Sequence, residues 1–475
     1  MTAEQTVLSL AYLVTAILFI LGLKFLSSPR SARTGNILAM AGMAIAIVAT
    51  CFDASIISWT DIIIGAAIGV PIGLVSARLV KMTAMPQMVA LFNGAGGGAA
   101  ALVSAGEFIK LTAVQHMDNM SITVHPTWEQ LLPIVLSSII GSVSFSGSII
   151  AFAKLQELMT GRPITYAGQQ IVNAIVLLVM VGLSAFMLMG NVSVPVFAGI
   201  VVAALALGVL GVLPIGGADM PVVISLLNSF TGVAVAVTGF ALNSTVLIIS
   251  GTLVGASGTL LTTLMATAMN RSLANVLFGA FGAAPKTGEA GPAAAASGAT
   301  VRSASAEDVA TLLAYSRSVI IVPGYGMAVA QAQHAVRELA ANLEKRGVDV
   351  KFAIHPVAGR MPGHMNVLLA EANVPYDQLH EMDEINPQFE AADVALVIGA
   401  NDVTNPAARN VQNSPIYGMP ILDVDKAKNI VVLKRSMAPG FAGIDNPLYE
   451  NPKTMMLFGD AKDSVQKLAA EVAQA

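Results

Sequence analysis

Residues 318–329 have the sequence SVIIVPGYGMAV, which predicts a strand, a tight turn and a helix in the carboxy-terminal part of the chain. The run from Val319 to Val322 is apolar and β-branched throughout, which is typical of a buried strand. The glycines that follow, Gly324 and Gly326, together with Val329 form a G-x-G-x-x-V variant of the dinucleotide fingerprint. A helix opening here can hold a pyrophosphate on its N-terminal N–H groups. Because Val329 stands where the fingerprint has Gly or Ala, an ordinary tight turn remains an alternative.

Strand-like and helical runs alternate over the rest of residues 306–475. The strand-like runs are VKFAI, ADVALVIG and NIVVLK, and an amphipathic helix is predicted from Ala328 to Arg346. This alternation predicts a Rossmann-like α/β domain, a doubly wound parallel sheet with helices on both faces. Residues 283–305 are rich in Ala and Gly and have no apolar periodicity, so we expect them to form a flexible linker.

Residues 1–282 have a different character. Of the whole chain 55% is hydrophobic and 11% charged, and most of the Lys and Arg lie beyond residue 280. Because about 20 apolar residues cross the hydrocarbon layer as a helix, the sequence predicts a transmembrane domain of nine helices. The nine runs lie near residues 6–25, 35–54, 57–77, 86–106, 131–152, 170–189, 193–213, 219–241 and 245–268.

The first run, Val7 to Phe25, is too long for a signal-peptide core, so we expect it to be a retained span. The single cysteine, Cys51, excludes a disulfide framework and a Cys-based metal site. The net charge of −4, without a basic stripe, argues against nucleic acid as a partner.

Basic residues distinguish the two sides of the predicted membrane domain. One set of alternate connections contains only Lys110, and the other contains Lys24, Arg30, Arg33, Arg78, Lys81, Lys154, Arg162 and Arg271. Because basic connections stay on the cytoplasmic side, we expect the amino terminus outside and residues 306–475 in the cytoplasm.

Spans four to nine carry almost no ionisable side chain, although such groups usually mark proton paths. They are instead rich in small and hydroxyl residues, which predict close helix packing. Asn93 and Asn228 each need a hydrogen-bond partner in hydrocarbon, and they either hold a water chain or are purely structural. Asp219 precedes Pro221 at the start of the eighth span. It is either an N-cap or a carboxylate at the inner mouth of a proton path.

Charged residues near predicted strand ends indicate which nucleotide is bound. An NAD site usually has an acid after the second strand, whereas here the run from His355 to Arg360 contains none. Lys434, Arg435 and Ser436 follow NIVVL and suit a 2′-phosphate, although a solvated strand end is the alternative. Asp402 follows the strand ADVALVI at the edge where such sheets bind ligands. A simple turn explains that aspartate equally well.

Ten motifs resemble, together and in order, the beta subunit of the proton-translocating NAD(P) transhydrogenase. They cover nearly the whole chain: MPQMVALFNG, IGGADMPVVISLLNS, AMNRS, VPGYGMAVAQAQ, VAGRMPGHMNVLLAEA, EMDEINP, GANDVTNPAA, IYGMPILDV, KRSMAPGFAGIDNPLY and GDAK. The resemblance implies that residues 306–475 bind NADP(H), in an orientation flipped relative to an ordinary Rossmann enzyme. The implied contacts, with the fingerprint residues Gly324, Gly326 and Val329, are Tyr325, Val357, Ala358, Gly359, Arg360, Met361, Pro362, Gly399, Ala400, Asn401, Asp402, Val403, Gly418, Met419, Lys434, Arg435, Ser436, Met437, Ala438, Pro439, Gly440, Phe441, Asp460 and Ala461.

The resemblance also implies a reaction and an assembly. Members of this family pass hydride from NADH to NADP⁺ while a proton moves inward across the bacterial cytoplasmic membrane. The NAD(H) domain is missing here, so an alpha-type partner subunit must carry it, in a dimer of such units. Asp402 on the soluble side and Asp219 at the membrane face are the expected coupling residues, with Asn93 and Asn228 in the spans.

One departure from the family concerns Asn93, where many members have a histidine. No predicted span contains a histidine, and His116 and His125 are expected in an outer loop. The protonatable group is therefore expected on a transmembrane helix of the partner. Two other functions are alternatives: a channel or transporter that only senses NADP(H), and a dehydrogenase merely anchored in the membrane. The first lacks a selectivity-filter motif, and the second would not need nine spans.

Overall fold

The computed structural model describes residues 3–26, 31–52, 59–80, 84–117, 126–156, 158–160, 163–216, 219–269, 301–359, 363–412, 414, 416–440 and 442–474. The chain forms two compact units, one containing residues 1–263 and the other containing residues 284–475. Residues 283–300, most of the predicted linker, lie outside the described residues.

The first unit consists of long apolar helices. Within the described residues, nine helices are long and apolar enough to cross a membrane, which confirms the nine predicted spans. They are α1 (Ala3–Leu26), α2 (Ala32–Cys51), α3 (Trp59–Leu79), α4 (Met85–Met117), α5 (Trp128–Leu155), α6 (Gln169–Leu188), α7 (Val194–Val212), α8 (Met220–Ala241) and α9 (Thr245–Ala268).

Glycines bring these helices into direct backbone contact. A Cβ added to Gly141 of α5 would lie 2.6 Å from the carbonyl oxygen of Gly97 in α4. A Cβ added to Gly251 of α9 would lie 2.3 Å from the backbone nitrogen of Ala236 in α8. Such approaches exclude any side chain at the glycine positions, so the close packing predicted from the small residues is found at these two helix pairs.

Helix α4 extends beyond the predicted fourth span and ends at Met117 rather than near residue 106. The additional residues contain neither Gly nor Pro after Gly106, so nothing in the sequence stops the helix there. His116 therefore lies in a helix and not in a loop, which corrects the prediction. His125 lies outside the described residues.

The second unit contains a parallel sheet of six strands in the order β3-β2-β1-β4-β5-β6. The central strands are buried on both faces, as expected when helices cover a parallel sheet. The elements in chain order are α10 (Ala306–Ala314), β1 (Ser318–Pro323), α11 (Tyr325–Val329), α12 (Gln333–Lys345), β2 (Asp349–Ile354), α13 (His364–Glu371), β3 (Leu379–Glu381), α14 (Met382–Ile385), β4 (Val394–Ile398), α15 (Ala407–Asn410), β5 (Asn429–Lys434), β6 (Thr454–Phe458) and α16 (Ala461–Gln474), with short 3-10 turns such as Pro447–Glu450.

The Rossmann-like prediction is confirmed, with three corrections. The sequence predicted four strands, and it missed β3 and β6. The single helix predicted from Ala328 to Arg346 is divided into α11 and α12, because Gln331 has a positive φ of 51°. The end of the predicted linker belongs to the folded unit. The Met456 N–H of β6 donates to the carbonyl oxygen of Arg302 (2.8 Å), and the Ala304 N–H donates to the carbonyl oxygen of Met456 (3.0 Å).

Candidate functional site

The strand order places a topological switch point between β1 and β4, since the chain continues from β1 to β2 on one side and from β4 to β5 on the other. Open α/β sheets bind ligands in the crevice at the carboxyl ends of such a pair. All the strands are parallel, so the segments after them meet at one edge. That edge gathers the predicted residues Gly324–Gly326, Val357–Gly359, Gly399–Val403, Lys434–Gly440 and Asp460–Ala461.

The two loops at the switch point touch through their backbones. The Gly324 N–H donates to the carbonyl oxygen of Ile398, and the Gly326 N–H donates to that of Gly399, both at 2.9 Å. A Cβ on Gly324 would lie 2.4 Å from Cα of Ala400, and Gly399 itself has a positive φ of 67°. The glycines of the fingerprint therefore serve loop-to-loop contact.

This contact changes what the fingerprint can do. The Gly324 and Gly326 N–H groups already have protein acceptors, and the helix they open, α11, has only five residues. Val329, the last fingerprint residue, is exposed. The sequence predicts a helix amino terminus whose N–H groups can hold a pyrophosphate. In the structure two of those N–H groups are already hydrogen-bonded to protein carbonyl oxygens, so fewer of them can bind a phosphate.

The segment after β2 is held by His355, which is buried. Its Nδ1 accepts from the Val357 N–H (3.2 Å), so the proton lies on Nε2, which donates to the carbonyl oxygen of Pro420 (2.8 Å). Burial lowers the pKa of His355 to about 4, partly offset by the Pro420 bond. A neutral ring thus fixes the Val357–Gly359 segment. The predicted residues Arg360, Met361 and Pro362 lie outside the described residues.

Asp402 and its neighbour Asn401 lie in the loop after β4, as predicted, and face the segment after β5. Asp402 Oδ2 accepts from the Ala442 N–H at 2.9 Å. A Cβ on Gly440 would lie 2.4 Å from Asn401 Nδ2 and 2.6 Å from Asp402 Oδ1. A side chain larger than hydrogen at position 440 would therefore collide with both residues. Phe441, between Gly440 and Ala442, lies outside the described residues.

Lys434 is the last residue of β5, near the loop that contains Asp402, and Arg435 and Ser436 follow it directly in the chain. Burial lowers the pKa of Lys434, while Asp402 and Asp445 act in the opposite direction. Arg435 and Ser436 are exposed, as are the next three predicted residues, Met437, Ala438 and Pro439. Two cationic side chains with an adjacent hydroxyl are thus placed at the binding edge, as a 2′-phosphate site needs.

The remaining predicted contacts have visible structural roles. Asp460 Oδ1 accepts from the Lys462 N–H at 2.9 Å, at the start of α16, and Ala461 is the first residue of that helix. Gly418, with a φ of 79°, donates to the carbonyl oxygen of Ala408 at 2.8 Å, and Met419 follows it in the core.

In the first unit, Asn93 belongs to a chain of polar side chains that crosses three helices. Its Nδ2 donates to Ser148 Oγ (2.9 Å) and lies 3.4 Å from Ser144 Oγ, both in α5. Ser144 Oγ in turn lies 2.5 Å from Thr231 Oγ1 in α8 and donates to the carbonyl oxygen of Leu227 (2.9 Å). Asn93 Oδ1 is buried and has no hydrogen-bond partner among the described residues. Contacts with serine side chains therefore satisfy the amide nitrogen of Asn93, whereas no described residue satisfies its amide oxygen.

The other two membrane candidates are placed differently. Asn228 is half-buried in α8, and its side chain makes no hydrogen bond with any residue that the structure describes. Asp219 occupies the N-cap position of α8, with Pro221 in the first turn as predicted. The two explanations given by the sequence, an N-cap and a carboxylate at the mouth of a proton path, both place Asp219 at this helix end.

Lys154 is a residue whose place the sequence did not reveal. The sequence predicts that it lies in a connection between spans, whereas the structure places it, buried, in the last turn of α5. Its Nζ donates to the carbonyl oxygens of Leu213 (2.5 Å) and Ile215 (2.7 Å), just before the segment that leads to Asp219. An ammonium group with two carbonyl acceptors anchors that segment. Its position near the end of an apolar run was the only sequence signal.

Among the described residues, the chain combines nine helices long and apolar enough to cross a membrane with a doubly wound parallel sheet, which defines a membrane protein with a Rossmann-like domain. The sequence matches the family described as NAD(P) transhydrogenase beta subunit over residues 8–471. Two relatives named NAD(P) transhydrogenase subunit beta, from Rhodospirillum rubrum and from a designated strain of that species, are each 51% identical over 458 residues. The alignment covers 96% of this chain and 97% of each relative. The chain belongs to the NAD(P) transhydrogenase beta subunit family.

Proposed function

We propose that the chain is the NADP(H)-binding subunit of a proton-translocating transhydrogenase. It takes up hydride from NADH held on an alpha-type partner, and inward proton movement accompanies the formation of NADPH. Family membership supports the reaction class. The choice of NADP(H) rests on one observation: Lys434 and Arg435 lie beside the switch-point loop, whereas no acidic residue follows β2 up to Gly363.

The residues at the edge fit the phosphate of NADP(H). Arg435 offers a planar fork of donors to a phosphate and Lys434 a point charge, while the glycines of the two loops allow a ligand to approach the backbone. The bound nucleotide supplies hydride chemistry by itself. The protein's part is to bind it, orient it and keep water from it. Replacing Lys434 or Arg435 with alanine should therefore weaken NADPH binding much more than NADH binding, and equal losses would contradict the phosphate role.

The membrane side of the proposal needs a partner. Asn93 does not titrate in water, and the polar chain from Asn93 through Ser144 to Thr231 consists of amide and hydroxyl groups. We propose that the protonatable group lies on a transmembrane helix of the alpha-type subunit, in a dimer of such units. The NADP(H) domain faces the cytoplasm in this arrangement, and the amino terminus of the chain faces outward.

Coupling between the proton and the nucleotide is a linkage between two sites, so each must change the affinity of the other by the same factor. We propose Asp402 as the coupling residue on the nucleotide side and Asp219 as the one at the membrane face. Asp402 is suited to this because its carboxylate contacts the Ala442 backbone and its charge acts on Lys434. Asp219 is suited because it is the N-cap residue of α8, which places a carboxylate at the end of a predicted span.

The test is reconstitution of the purified chain with an alpha-type partner in liposomes that contain a pH-sensitive dye. Reduction of an NADP⁺ analogue by NADH, with proton movement of matching initial rate, is the expected result. Ion flux without hydride exchange would instead indicate the channel, and turnover of an organic alcohol or acid would indicate the anchored dehydrogenase.

The same assay tests the coupling residue. Asp402→Asn should slow turnover or separate it from proton movement while the melting temperature stays near the wild-type value. Asp445→Asn is the matched control, because Asp445 is an exposed carboxylate whose charge also acts on Lys434. Normal coupled turnover in Asp402→Asn would remove Asp402 from the mechanism.

A further inference from the structure

Tyr449 contacts two of the proposed nucleotide-binding residues at once. It lies on the 3-10 turn Pro447–Glu450 and is only 2% exposed, packed in the apolar core beneath one face of the sheet. Its hydroxyl donates to Asn401 Oδ1 at 2.6 Å, and Lys434 Nζ lies over its ring, 4.7 Å from the centroid. Burial raises the pKa of this phenol, so the hydroxyl keeps its proton and remains a donor.

The orientation of the Asn401 amide follows from a series of hydrogen bonds with defined donors. The Leu448 N–H can only donate, so the atom of Asn446 that it reaches at 3.0 Å is the oxygen. The other end of Asn446 is therefore its NH₂ group, which donates to both the backbone oxygen and Oδ1 of Asn401, each at 3.1 Å. Asn401 thus turns its oxygen toward Asn446 and Tyr449, and its NH₂ group points away from them.

That NH₂ group is a buried donor without an acceptor among the described residues. It lies against the backbone of Gly440, in the segment that follows Lys434 and Arg435. Buried donors in native proteins are nearly always hydrogen-bonded, and the exceptions are commonly functional. The donor is located at the switch point, where an α/β sheet binds its ligand.

We infer that Tyr449 and Asn446 are positioning residues that hold the Asn401 amide with its NH₂ group toward the bound nucleotide. This inference rests on the proposed function, because it takes NADP(H) as the ligand. The hydroxyl of Tyr449 orients Asn401, while its ring supports the ammonium group of Lys434. One buried side chain therefore aligns a neutral donor and a cation of the same site.

The test is the affinity of the purified full-length chain for NADPH, followed by the fluorescence of the nucleotide. Tyr449→Phe keeps the ring under Lys434 and removes the hydroxyl, and it should weaken binding about 5-fold, the effect of losing one hydrogen bond. Asn401→Asp keeps an acceptor for Tyr449 and Asn446 but has no NH₂ group, and it should weaken binding at least as much. Tyr449→Leu also removes the ring and should weaken binding beyond Tyr449→Phe, with NADPH affected more than NADH.

A double-mutant cycle separates positioning from a general structural role. If Tyr449 acts through the Asn401 amide, Tyr449→Phe has no further effect on affinity once Asn401→Asp is present. Multiplied losses in the double variant, or an unchanged affinity in Tyr449→Phe, would overturn the inference. Tyr315→Phe is the control, because Tyr315 is exposed directly after α10. It takes no part in the hydrogen bonds that join Asn401, Asn446 and Tyr449.

A second variant protects the test against misfolding. If Tyr449→Phe does not fold, Asn446→Asp replaces it in the test. This variant keeps the acceptor for the Leu448 N–H but places a carboxylate against Asn401. The carboxylate should turn the Asn401 amide and weaken the binding of NADPH. Unchanged affinity in Asn446→Asp would then overturn the inference. A wild-type chain that binds no NADPH overturns the proposed function as well, whereas normal wild-type binding with insensitive variants overturns this inference alone.

Discussion

The two units of this chain, called here the membrane unit (α1 to α9) and the sheet unit (α10 to α16 with β1 to β6), bury polar groups in opposite ways. In the membrane unit, the buried polar groups described are mostly neutral. Several bond to the neighbouring helix, as Ser137 does with Thr238 (2.5 Å) and Ser229 with the carbonyl oxygen of Gly255 (2.8 Å). In the sheet unit, the polar groups named at the site collect at one edge and include charged side chains. A charge in hydrocarbon is expensive, whereas a charge at a sheet edge can meet water or a ligand. The difference indicates that the membrane unit supplies close packing and neutral contacts, whereas the sheet unit presents charged side chains at the edge where such sheets bind ligands.

Among the described residues of the membrane unit, Lys154 departs from the rule that buried polar groups are neutral. It is a buried cation in the membrane unit, but it lies in the final turn of α5 and has two carbonyl acceptors. A buried charge persists when it is hydrogen-bonded and close to the end of a span. The same residue anchors the segment that leads to Asp219, so the membrane unit keeps its buried charge where the chain approaches an aspartate.

The strongest effect is expected from Gly324→Ala in the sheet unit. A Cβ at this position would meet the backbone of Gly399 and Ala400 at 2.4 Å, and backbone atoms cannot give way as a flexible side chain does. We expect loss of NADPH binding and a destabilisation of about 3 kcal/mol or more, measured by nucleotide titration and calorimetry. Gly347→Ala is the control, because its φ is +83° but a Cβ there meets nothing within 4 Å. Similar losses in both variants would show that backbone strain, and not loop contact, matters.

The second prediction concerns the pH dependence of stability, which the buried ring of His355 should give to the sheet unit. The ring of His355 stays neutral in the folded protein down to a pKa of about 4, whereas the unfolded chain takes up a proton below about pH 6.5. The unfolded state then binds more protons, so the free energy of unfolding should fall by up to roughly 3 kcal/mol between pH 6.5 and pH 4. Calorimetry of wild type and His355→Gln should show this loss in the wild type alone. An equal loss in both proteins would assign it to other groups.

The third prediction tests packing in the membrane unit. Gly141→Ala places a methyl group 2.6 Å from the Gly97 carbonyl oxygen, so α4 and α5 must separate. We expect a destabilisation of about 1–3 kcal/mol and a weaker link between Asn93 and α5, measured as a lower melting temperature and slower proton movement. Gly182→Ala in α6 is matched to it, because a Cβ there meets nothing within 4 Å. The comparison fails if the two variants behave alike.

The smallest effect is expected from Ser144→Ala. Ser144 Oγ connects Thr231 and the carbonyl oxygen of Leu227 to the Asn93 side of the polar chain. Its loss should lower stability by about 1–2 kcal/mol and slow proton movement more than hydride exchange. Ser184→Ala serves as control, because that hydroxyl bonds only within its own helix, to the carbonyl oxygen of Met180. Equal effects in both variants would show that the link between helices is not used.

The nine spans and the doubly wound sheet could be predicted from the sequence, because run length and β-branched content are local signals. Strand β3 could not, since it has three residues, Leu379 to Glu381, at the edge of the sheet. Strand β6, TMMLF, has little β-branched character and owes its conformation to pairing with β5. The break at Gln331 carries neither Gly nor Pro, so no turn residue marked it.

The site was predicted unevenly for the same reason. Asp402 and Lys434 follow apolar strands directly, so their place at the binding edge could be foreseen. Tyr449 and His355 act through contacts with residues distant in sequence, Asn401 and Pro420, and a single sequence does not show such pairs. The bonding of the Gly324 and Gly326 N–H groups to the β4 loop was hidden in the same way.

The most direct test of the central claim is titration of the purified full-length chain with NADPH and with NADH by calorimetry. Tight binding of NADPH with weak or no binding of NADH is the predicted result, because Lys434 and Arg435 lie at the binding edge and no acidic residue follows β2 up to Gly363. Binding of NADH as tight as that of NADPH, or binding of neither, would contradict it.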